Sequence, residues 1–183
     1  MGFGYWGIKG LGEVSRVLIA YLGLDVKEYN PASREEWFGE KKPQLGSEFA
    51  NLPYLRDGDY VLTESSAIPV YLAGKANRGD LLGSDLKEQA TVRQLEGVIG
   101  DLSQNLSKAL WAPGDKKEAF GKLFAEGGDA FNKAAQLSKF LGTKDYLVGH
   151  LTIADFKLVF ACQFASALAL SLGLKCPLCQ HAN

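Results

Sequence analysis

Asn51-Leu-Pro-Tyr-Leu-Arg-Asp-Gly-Asp-Tyr-Val-Leu-Thr-Glu-Ser-Ser-Ala-Ile68 is the stretch on which the fold turns. Pro53-Tyr54-Leu55 reads as a strand, Asp57-Gly58-Asp59 as a tight turn and Tyr60-Val61-Leu62 as the hairpin partner, because apolar and aromatic runs flank a glycine-bearing turn. Thr63-Glu64-Ser65-Ser66 follows as a cluster of helix-capping residues and opens a helix through Leu72. A proline at the head of a strand marks either a plain turn or a cis peptide. In the second case the N–H and C=O of Leu52 face outward, where an extended peptide can pair with them. The helix start collects unpaired N–H groups and partial positive charge, which suits an anion, although a Ser-Ser pair also serves as a cap alone.

Upstream, Phe3 to Ile8 reads as a short aromatic strand. Glu13 to Leu22 places Val14, Val17, Leu18 and Tyr21 at helical spacing, and Gly23 ends that helix. Asp25 to Tyr29 reads as a second strand, stopped by Asn30-Pro31. Ser33 with Glu36 three residues on has the form of a capping box. The order is β-α-β-α-β-β-α, a compact α/β unit over residues 1–79. Gly74 to Asp85 is polar and glycine-bearing, as a linker is. From Leu86 the pattern is helical: Leu86 to Trp111, Lys116 to Leu141 and Thr152 to Leu174, parted by Pro113-Gly114 and Gly142-Thr143. Residues 86–183 therefore read as an all-helical domain. Thr152-Ile-Ala-Asp155 is a helix cap with an acid three positions on, and is read as structural.

The 183 residues carry a net charge of −1, too little to gather nucleic acid or an anionic membrane. Leu158 to Leu174 is the longest apolar run, but it contains Gln163, Ser166 and Ser171 and falls short of the ~20 apolar residues of a span. It reads as a buried helix. Cys162, Cys176 and Cys179 are an odd, clustered set, which points to a reducing compartment and not to a disulfide framework. Cys176, Cys179 and His181 lack a clear fourth ligand for zinc, so no metal site is assigned. The N-terminus has no basic segment before an apolar core, so no secretion signal is read there.

Tyr5 stands at the end of the first strand, just before Gly7-Ile-Lys-Gly-Leu-Gly12. A phenol there is either a strand aromatic or a donor to a bound thiolate. A thiol has a pKa of roughly 8.5, and a donor aimed at sulfur favours the anion and lowers it. The glycine spacing does not match a phosphate-binding loop.

With these residues in view, the chain resembles the glutathione transferases, nearest the mu and sigma classes. The resemblance rests on Tyr5 to Gly12, Asn51 to Leu55, Leu62 to Ile68 and Tyr146 to Phe156, four motifs in order across nearly the whole chain. It implies a thioredoxin-like βαβαββα domain followed by a helical bundle. Family members usually continue some thirty or more residues past the position of Asn183, so the last helices of the bundle are missing from this chain by that measure. The resemblance implies that Tyr5 is the catalytic hydroxyl, that Trp6 and Leu11 lie beside the tripeptide, and that Arg34, Trp37 and Lys41 hold its glycyl end. It further implies that Leu52 pairs with the cysteinyl unit before a cis Pro53, that Asn51 supports that loop, and that Glu64 and Ser65 bind the γ-glutamyl amine and carboxylate. Asp101 matches an acid that reaches the γ-glutamyl amine of the neighbouring subunit, which implies a two-fold homodimer. Two local departures stand out: the segment from Tyr29 to Trp37 is shorter than in typical mu members, and Gly7 stands where many carry an acid.

The activity implied is attack of the glutathione thiolate on a small hydrophobic electrophile, in a cytoplasmic enzyme with glutathione as co-substrate and no metal. The alternative is a catalytically silent structural or assembly module of the same fold. A chloride-channel-like or thiol-disulfide member would carry a cysteine near the first strand, where Tyr5 stands.

Overall fold

The computed structural model describes residues 1–176. The chain divides into two compact units, one from Met1 to Gly79 and one from Asp80 onward.

The first unit is a four-stranded mixed sheet of order β2-β1-β3-β4 with three helices. Strand β1 (Gly2–Gly4) runs parallel to β2 (Lys27–Tyr29) and antiparallel to β3 (Tyr54–Asp57), which pairs with β4 (Tyr60–Thr63) through the Gly58 hairpin. The helices are α1 (Glu13–Tyr21), α2 (Arg34–Glu36, continued as a π-turn over Trp37–Lys41) and α3 (Ala67–Lys75). This is the βαβαββα order read from the sequence. Phe3, Leu18, Trp37, Leu55, Ile68 and Leu72 are almost wholly removed from water. Each such side chain contributes about 1.5–3 kcal/mol of transfer free energy.

Two details differ from the sequence reading. Strand β1 stops at Gly4 instead of running to Ile8. Beyond it the Ile8 N–H turns back to the Trp6 carbonyl at 2.7 Å, a three-residue turn that ends strand pairing. On α1, Val14, Ser15 and Leu18 are buried, whereas Val17 and Tyr21 are exposed. The helix packs on α3, and that neighbour selects a stripe rotated by one position from the purely apolar one.

The second unit is helical: α4 (Leu86–Leu110), α5 (Lys116–Phe124), α6 (Asp129–Leu141) and α7 (Ile153–Ser171), with α4 packed against the other three. The single helix expected over 116–141 is two helices. Ala125 leaves helical geometry at ψ 157°, and Gly127 takes φ +79°, which disfavours a side chain. At Gly128 a Cβ would stand 2.5 Å from the carbonyl oxygens of Lys122 and Leu123.

Helix α7 begins with the expected capping box. The buried Asp155 carboxylate accepts from the Thr152 N–H at 2.8 Å, the Thr152 hydroxyl at 2.9 Å and the Leu147 N–H at 2.9 Å. Further along, α7 buries Ala161, Ala165, Leu168 and Ala169 but exposes Val159 and Leu170. The expectation of a buried helix therefore holds on one face only, the face packed against α4, although the residues are apolar all round. By length and composition alone, α7 is the one described helix apolar enough to cross a membrane.

Within this unit Glu96 is buried and lies between two cations. Arg93 donates to its Oε2, and Lys157 Nζ stands 2.7 Å from its Oε1. The second contact lies off the hydrogen-bonding direction, so it is a charge pair and Oε1 has no true donor.

Candidate functional site

The sheet register gathers the sequence motifs of the first unit. Gly4 on β1 lies opposite Tyr54 on β3, and Tyr54 opposite Thr63 on β4. Strands β1 and β4 run one way and β3 the other. The chain therefore leaves this row at one edge of the sheet in three places: forward into Tyr5, backward into Pro53 and Leu52, and forward into Glu64 and Ser65. Neighbouring strands lie about 4.8 Å apart, so the row from β1 to β4 spans about 10 Å. Three extended residues span a similar ~10 Å.

Tyr5 is buried, and its hydroxyl accepts the Leu11 N–H at 3.0 Å. A hydroxyl that accepts in this way keeps its own proton available for another acceptor. The ring lies against the short 3-10 turn Gly10–Gly12 that leads into α1. A Cβ on Gly12 would stand 2.6 Å from Tyr5 Cδ1, and one on Gly10 would stand 2.6 Å from the phenolic oxygen. These glycines are close-approach positions, a role the sequence reading did not give them. Leu11 itself is exposed and Trp6 half-buried.

The Leu52–Pro53 peptide is cis. Among the described residues neither backbone group of Leu52 has a hydrogen-bond partner, although its side chain is buried. Asn51 beside it is exposed. Glu64 takes φ +77°, a left-handed conformation that costs a non-glycine residue about 1 kcal/mol or more. Its carbonyl then accepts the N–H groups of Ala67 and Ile68, and the amides of Ser65 and Ser66 stay unpaired among the described residues. Backbone strain beside unpaired amides at a helix N-terminus is the arrangement expected where an anion is held.

Arg34, Trp37 and Lys41 share one helical segment. Ser33 caps it, accepting the Glu36 N–H at 3.1 Å. Glu36 does not complete the box: its carboxylate accepts from the Tyr29 hydroxyl and the Ala32 N–H. Both bonds hold Glu36 below the usual carboxylate range, while burial and this anion push Tyr29 up to about 12. The Lys42 N–H reaches back five residues to the Trp37 carbonyl at 2.8 Å, a π-turn of the kind often found at functional sites. Trp37 is 1% exposed and stacks on Tyr54 with ring centroids 6.2 Å apart. Arg34 and Lys41 are exposed, Arg34 over the Phe38 ring and Lys41 over that of Tyr29. Asp101, in the second unit, is exposed and pairs with Lys133 at 2.9 Å.

Among the described residues no group of three His, Cys, Asp or Glu is placed to hold a metal ion. Cys179 and His181, weighed above as zinc ligands, lie outside the described residues.

The sequence reading also missed Arg16. Its guanidinium has an acceptor near each of its five N–H groups. Nε donates to Glu28 at 2.6 Å, one terminal nitrogen to Ile8 O at 2.6 Å and Lys9 O at 3.5 Å, and the other to Trp6 O at 2.8 Å and Asn30 Oδ1 at 3.2 Å. Its position on the polar side of α1 gave only the signal of a surface cation.

The helix after β4 lacks the side-chain cap expected of Thr63 to Ser66, since Ser66 makes no capping bond among the described residues. A mixed four-stranded sheet of this order, with a cis proline heading β3 and a helix with free amides after β4, followed by an all-helical unit, defines a thioredoxin-like domain joined to a helical one. Residues 1–74 match the family model of the glutathione S-transferase N-terminal domain. The chain is 36% identical over 165 residues to mouse glutathione S-transferase Mu 4, covering 85% of this chain and 72% of that protein. It is 38% identical over 162 residues to the class-mu 26 kDa isozyme of Schistosoma japonicum, covering 85% of this chain and 69% of that one. The crystal structure of a glutathione S-transferase from Ascaris lumbricoides superimposes with a TM-score of 0.71 at 26% identity, over 91% of this chain and 81% of that one. The chain belongs to the glutathione S-transferase family.

Proposed function

We propose that the protein binds glutathione along the sheet edge of its first unit and conjugates it to small hydrophobic electrophiles. In this reading the cysteinyl backbone pairs with Leu52 ahead of Pro53, with Asn51 supporting the loop. The γ-glutamyl carboxylate meets the amides of α3 at Ser65, and its amine meets Glu64. Arg34 and Lys41, on the segment anchored by Trp37, meet the glycyl carboxylate. Trp6 and Leu11 flank the tripeptide. Charge-assisted hydrogen bonds at both ends fix its orientation, so the sulfur arrives at Tyr5 already placed.

The chemistry then needs one shift in equilibrium. Glutathione loses its thiol proton to water, and the Tyr5 O–H donates to the resulting thiolate, favouring the anion. The sulfur lone pair forms a bond to the electrophilic carbon, and the leaving group departs with its electron pair. One observation carries the reading: the Leu11 N–H donates to the Tyr5 oxygen, and among the described residues no protein group accepts the phenol's own proton.

A two-fold homodimer and a cytoplasmic location belong to the same reading. Asp101 would serve the partner's site. The test is retention on immobilised glutathione with turnover of a generic aryl halide, for wild type and Tyr5→Phe. Loss of turnover by ~10² or more with retention kept supports the role of Tyr5. Equal collapse of both refutes it, and retention without wild-type turnover would indicate a silent module.

A further inference from the structure

The loop between Tyr5 and the Gly10–Gly12 turn has little to hold it. Gly7, Ile8, Lys9 and Leu11 are all exposed, so apolar burial does not fix their path. Yet this loop delivers the Leu11 N–H to the Tyr5 hydroxyl. What spans it is Arg16. The guanidinium donates to the carbonyls of Trp6, Ile8 and Lys9, taking hold of both ends of the loop. It is itself held by Glu28 and Asn30, and its carbon lies 5.6 Å from the Tyr5 ring centroid and 5.9 Å from that of Phe3, within cation–π range. The side chain is 19% exposed, and its bond to the Trp6 carbonyl is part-buried.

We propose that Arg16 is a positioning residue for the reaction: by spanning the Trp6–Lys9 carbonyls it holds the loop whose Leu11 amide occupies the Tyr5 oxygen, and so aims the phenolic proton at sulfur. The inference rests on the role proposed for Tyr5. Only arginine fits the task. Three carbonyls and two side chains are reached by one planar fork, whereas a lysine offers three donors from a single point.

Arg16→Lys keeps the charge and loses the fork. Bound glutathione should ionise less readily: at saturating glutathione the midpoint of the pH profile of kcat/KM for the electrophile rises by about one pH unit and kcat falls about tenfold at neutral pH, with KM for glutathione changed less than about threefold. Amide exchange across 7–11 quickens in the same variant. Arg16→Ala exceeds Arg16→Lys in effect, and should it fail to fold, Arg16→Lys alone decides. An Arg16→Lys profile superimposed on that of wild type, while Tyr5→Phe shifts it, overturns the inference and spares Tyr5. If Tyr5→Phe also leaves the midpoint where it was, the role of Tyr5 itself is wrong.

Discussion

Replacing Gly12 by alanine tests where the Tyr5 ring must lie. Gly12 has φ −82° and ψ −18°, which any residue adopts, so the substitution carries no backbone penalty. In the turn ahead of α1 it gains up to about 1 kcal/mol from reduced freedom of the unfolded chain. Against this, the new methyl would stand 2.6 Å from Tyr5 Cδ1, 2.7 Å from Cγ and 3.0 Å from Cβ. Carbon atoms settle at about 3.5–4.0 Å, so the ring must retreat by about 1 Å. Overpacking of this kind costs about 1–3 kcal/mol, so the net loss of stability lies between about zero and about 2.6 kcal/mol. The kinetic cost is larger in proportion: a displacement of about 1 Å in a reacting group lowers the rate by ~10².

The assay is steady-state conjugation of an aryl halide with thermal unfolding measured in parallel. Gly7→Ala is the control, since nothing lies within 4 Å of its added methyl. A folded Gly12→Ala enzyme whose kcat/KM stays within about twofold of wild type would show that the phenol's position does not govern the reaction.

Asp155→Ala leaves three buried donors without their acceptor and should cost about 3 kcal/mol, or roughly 10 °C in Tm, while the surviving folded enzyme keeps its kcat. Lys157→Ala strips Glu96 of one of its two cations and should cost about 2 kcal/mol, whereas Glu96→Leu with Lys157→Met should recover most of that; chemical denaturation of the two variants decides, and an additive loss would refute the pairing. Acid should loosen the first unit. Glu36, held by the Tyr29 hydroxyl and then the Ala32 N–H, and Asp57, held by Lys75 and then Tyr71, both titrate below their ordinary values of 4.5 and 3.8. A carboxyl lowered in the fold stabilises it above those values and loses that contribution as pH falls through the lowered one, so Tm should drop below about pH 4.5 and the drop should flatten in Glu36→Gln/Asp57→Asn.

The hairpin, the Ser33 cap and the order of the first unit were legible because turn chemistry and strand period are local, whereas the Thr63 to Ser66 cluster supplies no side-chain cap among the described residues. Gly58 between two β-rich runs, and Ser33 three residues before Glu36, announce themselves within a few positions. Tyr5, Leu52 and Ser65 were legible as separate motifs, and only strand pairing sets them in one row. What stayed hidden depends on neighbours far along the chain. The close approach of Gly12 to the Tyr5 ring is visible only once β1 and the turn are folded together. Arg16 looked like a solvated helix charge because the carbonyls it spans belong to a loop with no sequence signature. The break at Ala125 was missed because Gly127-Gly128 lay inside an otherwise good helical pattern, where one glycine is tolerated and two adjacent ones are not.

The β3–β4 hairpin makes one part of the molecule intolerant of length change. Asp57 faces Tyr60 across a two-residue turn, and Tyr54 faces Thr63 at the far end of the same ladder. One added residue at Gly58 would slide the second strand by about 3.3 Å, turn every side chain on it to the other face, and carry Glu64 and Ser65 out of step with Leu52. The loop from Gly46 to Ala50, beyond the buried Leu45 that Arg56 holds, lies in no strand ladder and is under no such gearing. Insertions and deletions accumulating in descendants of this gene should crowd into that stretch and leave the turn at its present size.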